Sequence, residues 1–188
     1  RARRSGGDID PVIYTGGPEG FAAERRIHLK GRDCVDALCA DIFDRNLVDI
    51  VTANCSENAV DLDPGSFLFM GRTEGYQYEP DVVFPTVRAH GVACGDINRD
   101  GYLDLIFGGF QNSELLVYYG GPEGFDVANP RRLQMEIDGV TYSETRWILL
   151  ADLNNDGWLD LFVPHINADR SFILWGGPEG FDISRRQM

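Results

Sequence analysis

An internal repeat constrains this chain more than any other feature. The stretch Tyr14-Thr15-Gly16-Gly17-Pro18-Glu19-Gly20-Phe21 recurs as Tyr118-Tyr119-Gly120-Gly121-Pro122-Glu123-Gly124-Phe125 and again as Leu174-Trp175-Gly176-Gly177-Pro178-Glu179-Gly180-Phe181. A worn copy reads Phe69-Met70-Gly71-Arg72-Thr73-Glu74-Gly75-Tyr76. The closing aromatics stand at 21, 76, 125 and 181, so the steps are 55, 49 and 56 residues. A period of this size marks a supersecondary unit that buries its apolar faces only by stacking on its neighbours. The clearest copy predicts four short strands, at 91–95, 103–107, 114–119 and 132–137. Between the last two, Gly-Gly-Pro-Glu-Gly is a turn: Pro fixes φ at its second position and Gly supplies a positive φ near its end. No segment has a helical period.

Four strands per unit of this length is the pattern of a propeller blade. The expected fold is therefore all-β, a β-propeller built of four-stranded blades, with about three and a half blades in this chain. A basic tail (1–8) precedes a half blade (9–30) holding the last two strands. Full blades follow at 31–84, 85–140 and 141–188, the last with an incomplete final strand. Closed propellers hold four to eight blades, so the chain is expected to belong to a longer ring or to close through other chains. Open strand edges invite such pairing.

The same period governs two Asp-rich loops. One runs Asp96-Ile97-Asn98-Arg99-Asp100-Gly101-Tyr102-Leu103-Asp104, the other Asp152-Leu153-Asn154-Asn155-Asp156-Gly157-Trp158-Leu159-Asp160. Oxygen-bearing side chains fall at positions 1, 3, 5 and 9, with Gly at position 6. Ca²⁺ takes six to eight oxygens around a tight turn, and this spacing supplies them. The expected ligands are Asp96, Asn98, Asp100, Asp104 and the carbonyl of Tyr102, then Asp152, Asn154, Asp156, Asp160 and the carbonyl of Trp158. Two Ca²⁺ sites follow. An EF-hand needs an acidic residue at position 12, where this chain has Phe107 and Val163. One period earlier lies a worn loop, Asp41 to Asp49, with Phe43 at position 3, Arg45 at position 5 and Asn46 in place of Gly. Arg45 is expected to stand in for the cation and to pair with Asp41 and Asp49.

The net charge is −13, which argues against a nucleic-acid partner, since phosphate needs basic patches. No apolar run is long enough to span a membrane. Four cysteines, Cys34, Cys39, Cys55 and Cys94, fit either disulfides in an oxidising compartment or buried thiols, and sequence does not choose a pairing. Asn54-Cys55-Ser56 matches a glycosylation sequon.

The loops, their strand context and the period together resemble the FG-GAP/VCBS repeat family, the calcium-loop β-propellers of integrin alpha subunits and many bacterial surface proteins. The resemblance runs from about residue 12 onward. It implies that the Asp-rich loop joins the first two strands of a blade and carries Ca²⁺ on the residues named above. It also implies an extracellular or cell-surface setting. The chain departs from the family in its worn loop, in a half blade without a loop, and in having Gly-Gly-Pro-Glu-Gly-Phe in place of Phe-Gly-Gly-Ala-Pro.

No catalytic constellation is visible. His28, His90 and His165 lie outside any HExxH, Ser-His-Asp or Cys-His context. Tyr118, Tyr119, Trp147, Trp158 and Trp175 suit blade packing, or a sugar platform where exposed. The expected function is non-enzymatic: an extracellular, calcium-stabilised module for binding or adhesion, with a protein or carbohydrate ligand the sequence does not name. A structural subunit that self-associates into oligomers or filaments through incomplete blades is one alternative. An accessory propeller of a larger secreted enzyme is another.

Overall fold

The computed structural model describes residues 9–56, 63–166 and 170–188; the basic tail at 1–8 lies outside them. The described residues form sixteen short strands and one 3-10 turn, Ala23–Arg25. A two-stranded sheet pairs β1 (Val12–Tyr14) with β2 (Arg26–His28). Three four-stranded antiparallel sheets follow, each a simple meander. The first is β3 (Cys34–Ala40), β4 (Asp49–Asn54), β5 (Ser66–Phe69) and β6 (Val82–Phe84). The second is β7 (Ala89–Gly95), β8 (Asp104–Gly109), β9 (Glu114–Tyr118) and β10 (Arg131–Gln134). A hairpin, β11 (Glu136–Ile137) and β12 (Val140–Thr141), leads to the third: β13 (Leu149–Ala151), β14 (Asp160–Val163), β15 (Phe172–Leu174) and β16 (Arg186–Gln187). All the sheets are open.

The second strands β4 and β8 are buried along their whole length, because both faces of each sheet are covered. Alternate residues therefore feed different cores. Leu105 and Phe107 of β8 pack toward the first sheet with Val51, Leu68 and Phe84. Ile106, between them, packs toward the third with Leu161, Val163 and Phe172. Phe84 anchors the first interface: its ring lies 5.4 Å from Phe107, 4.8 Å from Tyr118 and 5.4 Å from Phe125. Ile13 and Ile27 of the two-stranded sheet pack on Leu29, Ile50 and Phe67. The leading strands β3, β7 and β13 touch in series, and Asp36 on β3 accepts the Val92 N–H of β7 at 3.1 Å.

Glycine lets the connection into β13 lie flat across the second sheet. A Cβ on Gly91 would sit 2.3 Å from the Arg146 carbonyl oxygen, and one on Gly108 would sit 2.1 Å from that of Thr145. The turns follow their sequence signature: the Gly20, Gly124 and Gly180 N–H groups donate to the Gly17, Gly121 and Gly177 carbonyls at 2.8, 2.9 and 2.8 Å, with φ of 85°, 87° and 70°.

Two expectations are corrected. The strand expected at 132–137 stops at Gln134, and Glu136-Ile137 turns back through Asp138-Gly139, both at positive φ. Asp-Gly between apolar residues is a strong hairpin signal, and here it overrides the alternation that continues from β10. No disulfide joins Cys34, Cys39, Cys55 or Cys94. Cys34 and Cys39 share β3 about 16 Å apart at 3.3 Å per residue, far beyond the reach of a disulfide. Cys34 pairs with Asn54 in register, one residue short of Cys55.

Candidate metal centre

Each Asp-rich loop joins the first strand of a sheet to the second: 41–48 between β3 and β4, 96–103 between β7 and β8, and 152–159 between β13 and β14. The ninth residue of each opens the second strand and is fully buried: Asp49, Asp104 and Asp160. All three bond in the same way. One oxygen accepts the N–H of loop position 2, from Ile42, Ile97 and Leu153 at 3.1, 2.8 and 2.8 Å. The other accepts the N–H of the first turn glycine, Gly71, Gly120 and Gly176, at 2.9, 2.8 and 2.9 Å. The position-nine carboxylate thus ties the loop to the turn at the end of the third strand. That glycine must be glycine: a Cβ there would lie 2.2, 2.3 or 2.1 Å from the carbonyl oxygen of Val48, Leu103 or Leu159.

Positions 1, 3 and 5 wrap around their own backbone. Asp96 accepts the N–H groups of Asp100 and Gly101 at 3.1 and 3.0 Å. Asn98 accepts the Asp100 N–H at 3.1 Å and donates its amide to Asp100 at 2.8 Å. Asp100 accepts the Tyr102 N–H at 2.9 Å. Asp152, Asn154, Asp156 and Trp158 repeat each contact to within 0.2 Å. Gly101 and Gly157 take φ of 91° and 89°, which carries the chain past the cluster.

The worn loop keeps the frame and changes the charge. Asp41 accepts the N–H groups of Arg45 and Asn46 at 2.8 and 2.6 Å, and Asn46 holds φ of 58° where the others have Gly. The Arg45 guanidinium reaches Asp49 at 2.5 Å and the Gly71 carbonyl at 3.3 Å. Its expected pairing with Asp49 is present. Asp41 is held by backbone N–H groups, so the guanidinium joins one of the two expected carboxylates.

Asp104 and Asp160 form no ion pair among the described residues. Burial pushes the Asp104 carboxyl up to about 6 against the N–H bonds from Gly120 and Ile97, and the charges of Asp100 and Asp96 add to the rise. Asp156 lies below the usual carboxylate range, held there by the Trp158 N–H, the Asn154 amide and the nearby Arg99 and Arg185. Among the described residues no three His, Cys, Asp or Glu side chains are gathered as a metal-holding group, the three carboxylates of each expected set included; an amide and a carbonyl oxygen complete each set. These are hard oxygen donors of the kind Ca²⁺ takes. Where one equivalent carboxylate carries a guanidinium and two carry none, the residues fit a cation.

The remaining candidates scatter. Tyr118 is buried in the sheet interface, whereas Trp147 is exposed, with His90 at 6.0 Å between rings. His165 packs edge-on to Tyr142 at 5.1 Å. Burial pushes the Cys34 and Cys94 thiols up to about 11, which leaves them unreactive. Asn54 is buried and donates its amide to the Gly65 carbonyl at 2.7 Å, so its nitrogen is committed inside the fold. The sequence reading missed an arginine four residues after the turn aromatic. Arg25 donates to the Thr15 and Gly20 carbonyls, and Arg185 to those of Gly176 and Gly180. The signal was the extended motif Gly-Gly-Pro-Glu-Gly-Phe-x-x-x-Arg, shared by two of the copies.

Stacked antiparallel sheets with an Asp-rich loop after each leading strand define a class of all-β repeat proteins. The sequence model of the FG-GAP-like repeat matches residues 96–163, from the first ligand position of one loop through the strand that follows the other. That match agrees with the resemblance read from the loops and their period. No curated protein matches the chain significantly. No helix among the described residues is long and apolar enough to cross a membrane.

Proposed function

We propose that the chain is a calcium-stabilised β-propeller module for binding or adhesion outside the cell, with Ca²⁺ in a structural role at the 96–104 and 152–160 loops. One observation carries the calcium reading. Three equivalent buried carboxylates share one hydrogen-bond frame, and only Asp49 has a built-in cation. The propeller reading draws on consecutive sheets that stack face to face with their leading strands in contact. In each loop Asp96, Asn98 and Asp100, or Asp152, Asn154 and Asp156, would present side-chain oxygens, and Tyr102 or Trp158 a carbonyl. Asp104 and Asp160 would add the position-nine carboxylate to the ion while holding the loop against the following turn. A bound divalent cation supplies positive charge among carboxylates that otherwise repel one another. Binding at 100 times Kd adds about 2.7 kcal/mol per site. At about 2–4 °C per kcal/mol for a domain of this size, two sites raise Tm by about 10–20 °C. Thermal melts in calcium and in EDTA test this; coincident curves would rule out the structural role.

A second reading, assembly through the two-stranded sheet, rests on Gly16. It occupies the place of Gly71, Gly120 and Gly176, yet a Cβ there would meet nothing closer than Phe21 at 3.9 Å. Among the described residues the position has no loop carbonyl to clear, and β1 pairs with β2 alone. Phe21 beside it is 76% exposed. Sedimentation distinguishes the readings: a 21.0 kDa species at all concentrations would count against assembly.

A further inference from the structure

The two Asp-rich loops touch through one side chain. Position 4 of each loop takes a left-handed backbone, with φ of 51° at Asp44, 61° at Arg99 and 59° at Asn155. Asp and Asn tolerate that conformation best among residues with a Cβ, because their short polar side chains bond locally. Arg99 has no such advantage, so the backbone alone does not account for it. Its side chain does what Asp44 and Asn155 are too short to do and crosses to the next loop. The guanidinium carbon lies 4.7 Å from the centre of the Trp158 ring. A Cβ on Gly157 would stand 2.5 Å from its Nη2, so the glycine that turns the second loop also makes room for the guanidinium. Trp158 is the residue whose carbonyl is the expected position-7 donor of the second loop, and its N–H already binds Asp156 at 2.8 Å. Arg99 is flanked by the expected donors Asn98 and Asp100 of the first loop. Its backbone is therefore fixed by whatever orders that loop, while its side chain bears on the second.

We propose that Arg99 is a positioning residue that carries the state of the first loop to the second. A divalent cation held by Asp96, Asn98 and Asp100 fixes the turn at Arg99, which seats the guanidinium on Trp158 and orders the second loop. This rests on the calcium reading above. The test uses the full chain with its second loop disabled by Asp152→Asn and Asp156→Asn. Calcium is added while heat and tryptophan emission are recorded together. The expected result is heat for one site and a change in emission that disappears when Trp158→Phe is added. Adding Arg99→Gln should abolish the emission change and leave the one-site heat in place. Heat with no emission change, or an emission change that survives Arg99→Gln, would overturn the coupling with the calcium reading intact. If calcium gives neither heat nor emission change in the unmodified chain, the calcium reading fails and this proposal with it.

Discussion

At the scale of single residues, three buried carboxylates, Asp49, Asp104 and Asp160, share one hydrogen-bond frame. Arg45→Ala removes the cation from Asp49 but leaves its two N–H donors. The expected loss is about 1–3 kcal/mol, equal in calcium and in EDTA, measured by chemical denaturation. Asp104→Ala strips the acceptor from Ile97 and Gly120 as well, and its cost should be larger in calcium than in EDTA; equal costs would count against a cation at that loop. Glycine gives a second contrast. Gly120→Ala forces a Cβ against the Leu103 carbonyl oxygen at 2.3 Å and should cost about 1–3 kcal/mol by overpacking, while Gly16→Ala, with open space, should be close to neutral. The spacing of Asp96, Asn98, Asp100 and Asp104 was legible in the sequence, and so was the swap to Arg45. The division of labour was not. Position 9 is buried while positions 1, 3 and 5 ring the turn, and only the fold puts Gly120 within reach of Asp104.

At the scale of elements, the interfaces between sheets hold the molecule. Phe84 packs against three rings from the next sheet and its turn, and Phe84→Ala should cost about 3–5 kcal/mol in a denaturant titration. Strand existence was readable from apolar runs such as Leu105-Ile106-Phe107, because strands covered on both faces are apolar throughout. The end of β10 was not readable from alternation, since Glu136-Ile137 keeps the period of Arg132-Leu133-Gln134 across a break in pairing. The chain just after β14 also carries a pH-sensitive group. Burial pushes the His165 imidazole below its ordinary value, and Glu144 opposes the shift only partly. The folded state thus favours neutral His165. Its contribution is full above about pH 6.5 and is lost as pH falls below that value toward the lowered folded one. Denaturation midpoints at pH 7 and 5 should show a smaller fall in His165→Gln than in the parent chain.

At the scale of the whole molecule, the repeat read from the turn motif reappears as three meander sheets in series plus a two-stranded one. The motif could be counted because each turn glycine must clear a loop carbonyl, a demand that fixes its place in every complete unit. Packing between units was less legible. The contacts of Arg99 with Trp158 and of Phe84 with Tyr118 join residues more than thirty positions apart, and no local pattern announces them. The chain's two intact loops, its one guanidinium-filled loop and its loop-free half unit lead to one stoichiometry. Calorimetric titration of the calcium-free chain should give two Ca²⁺ per chain. Zero would contradict the structural role of the cation, and three would contradict the assignment of Arg45 as the cation of the worn loop.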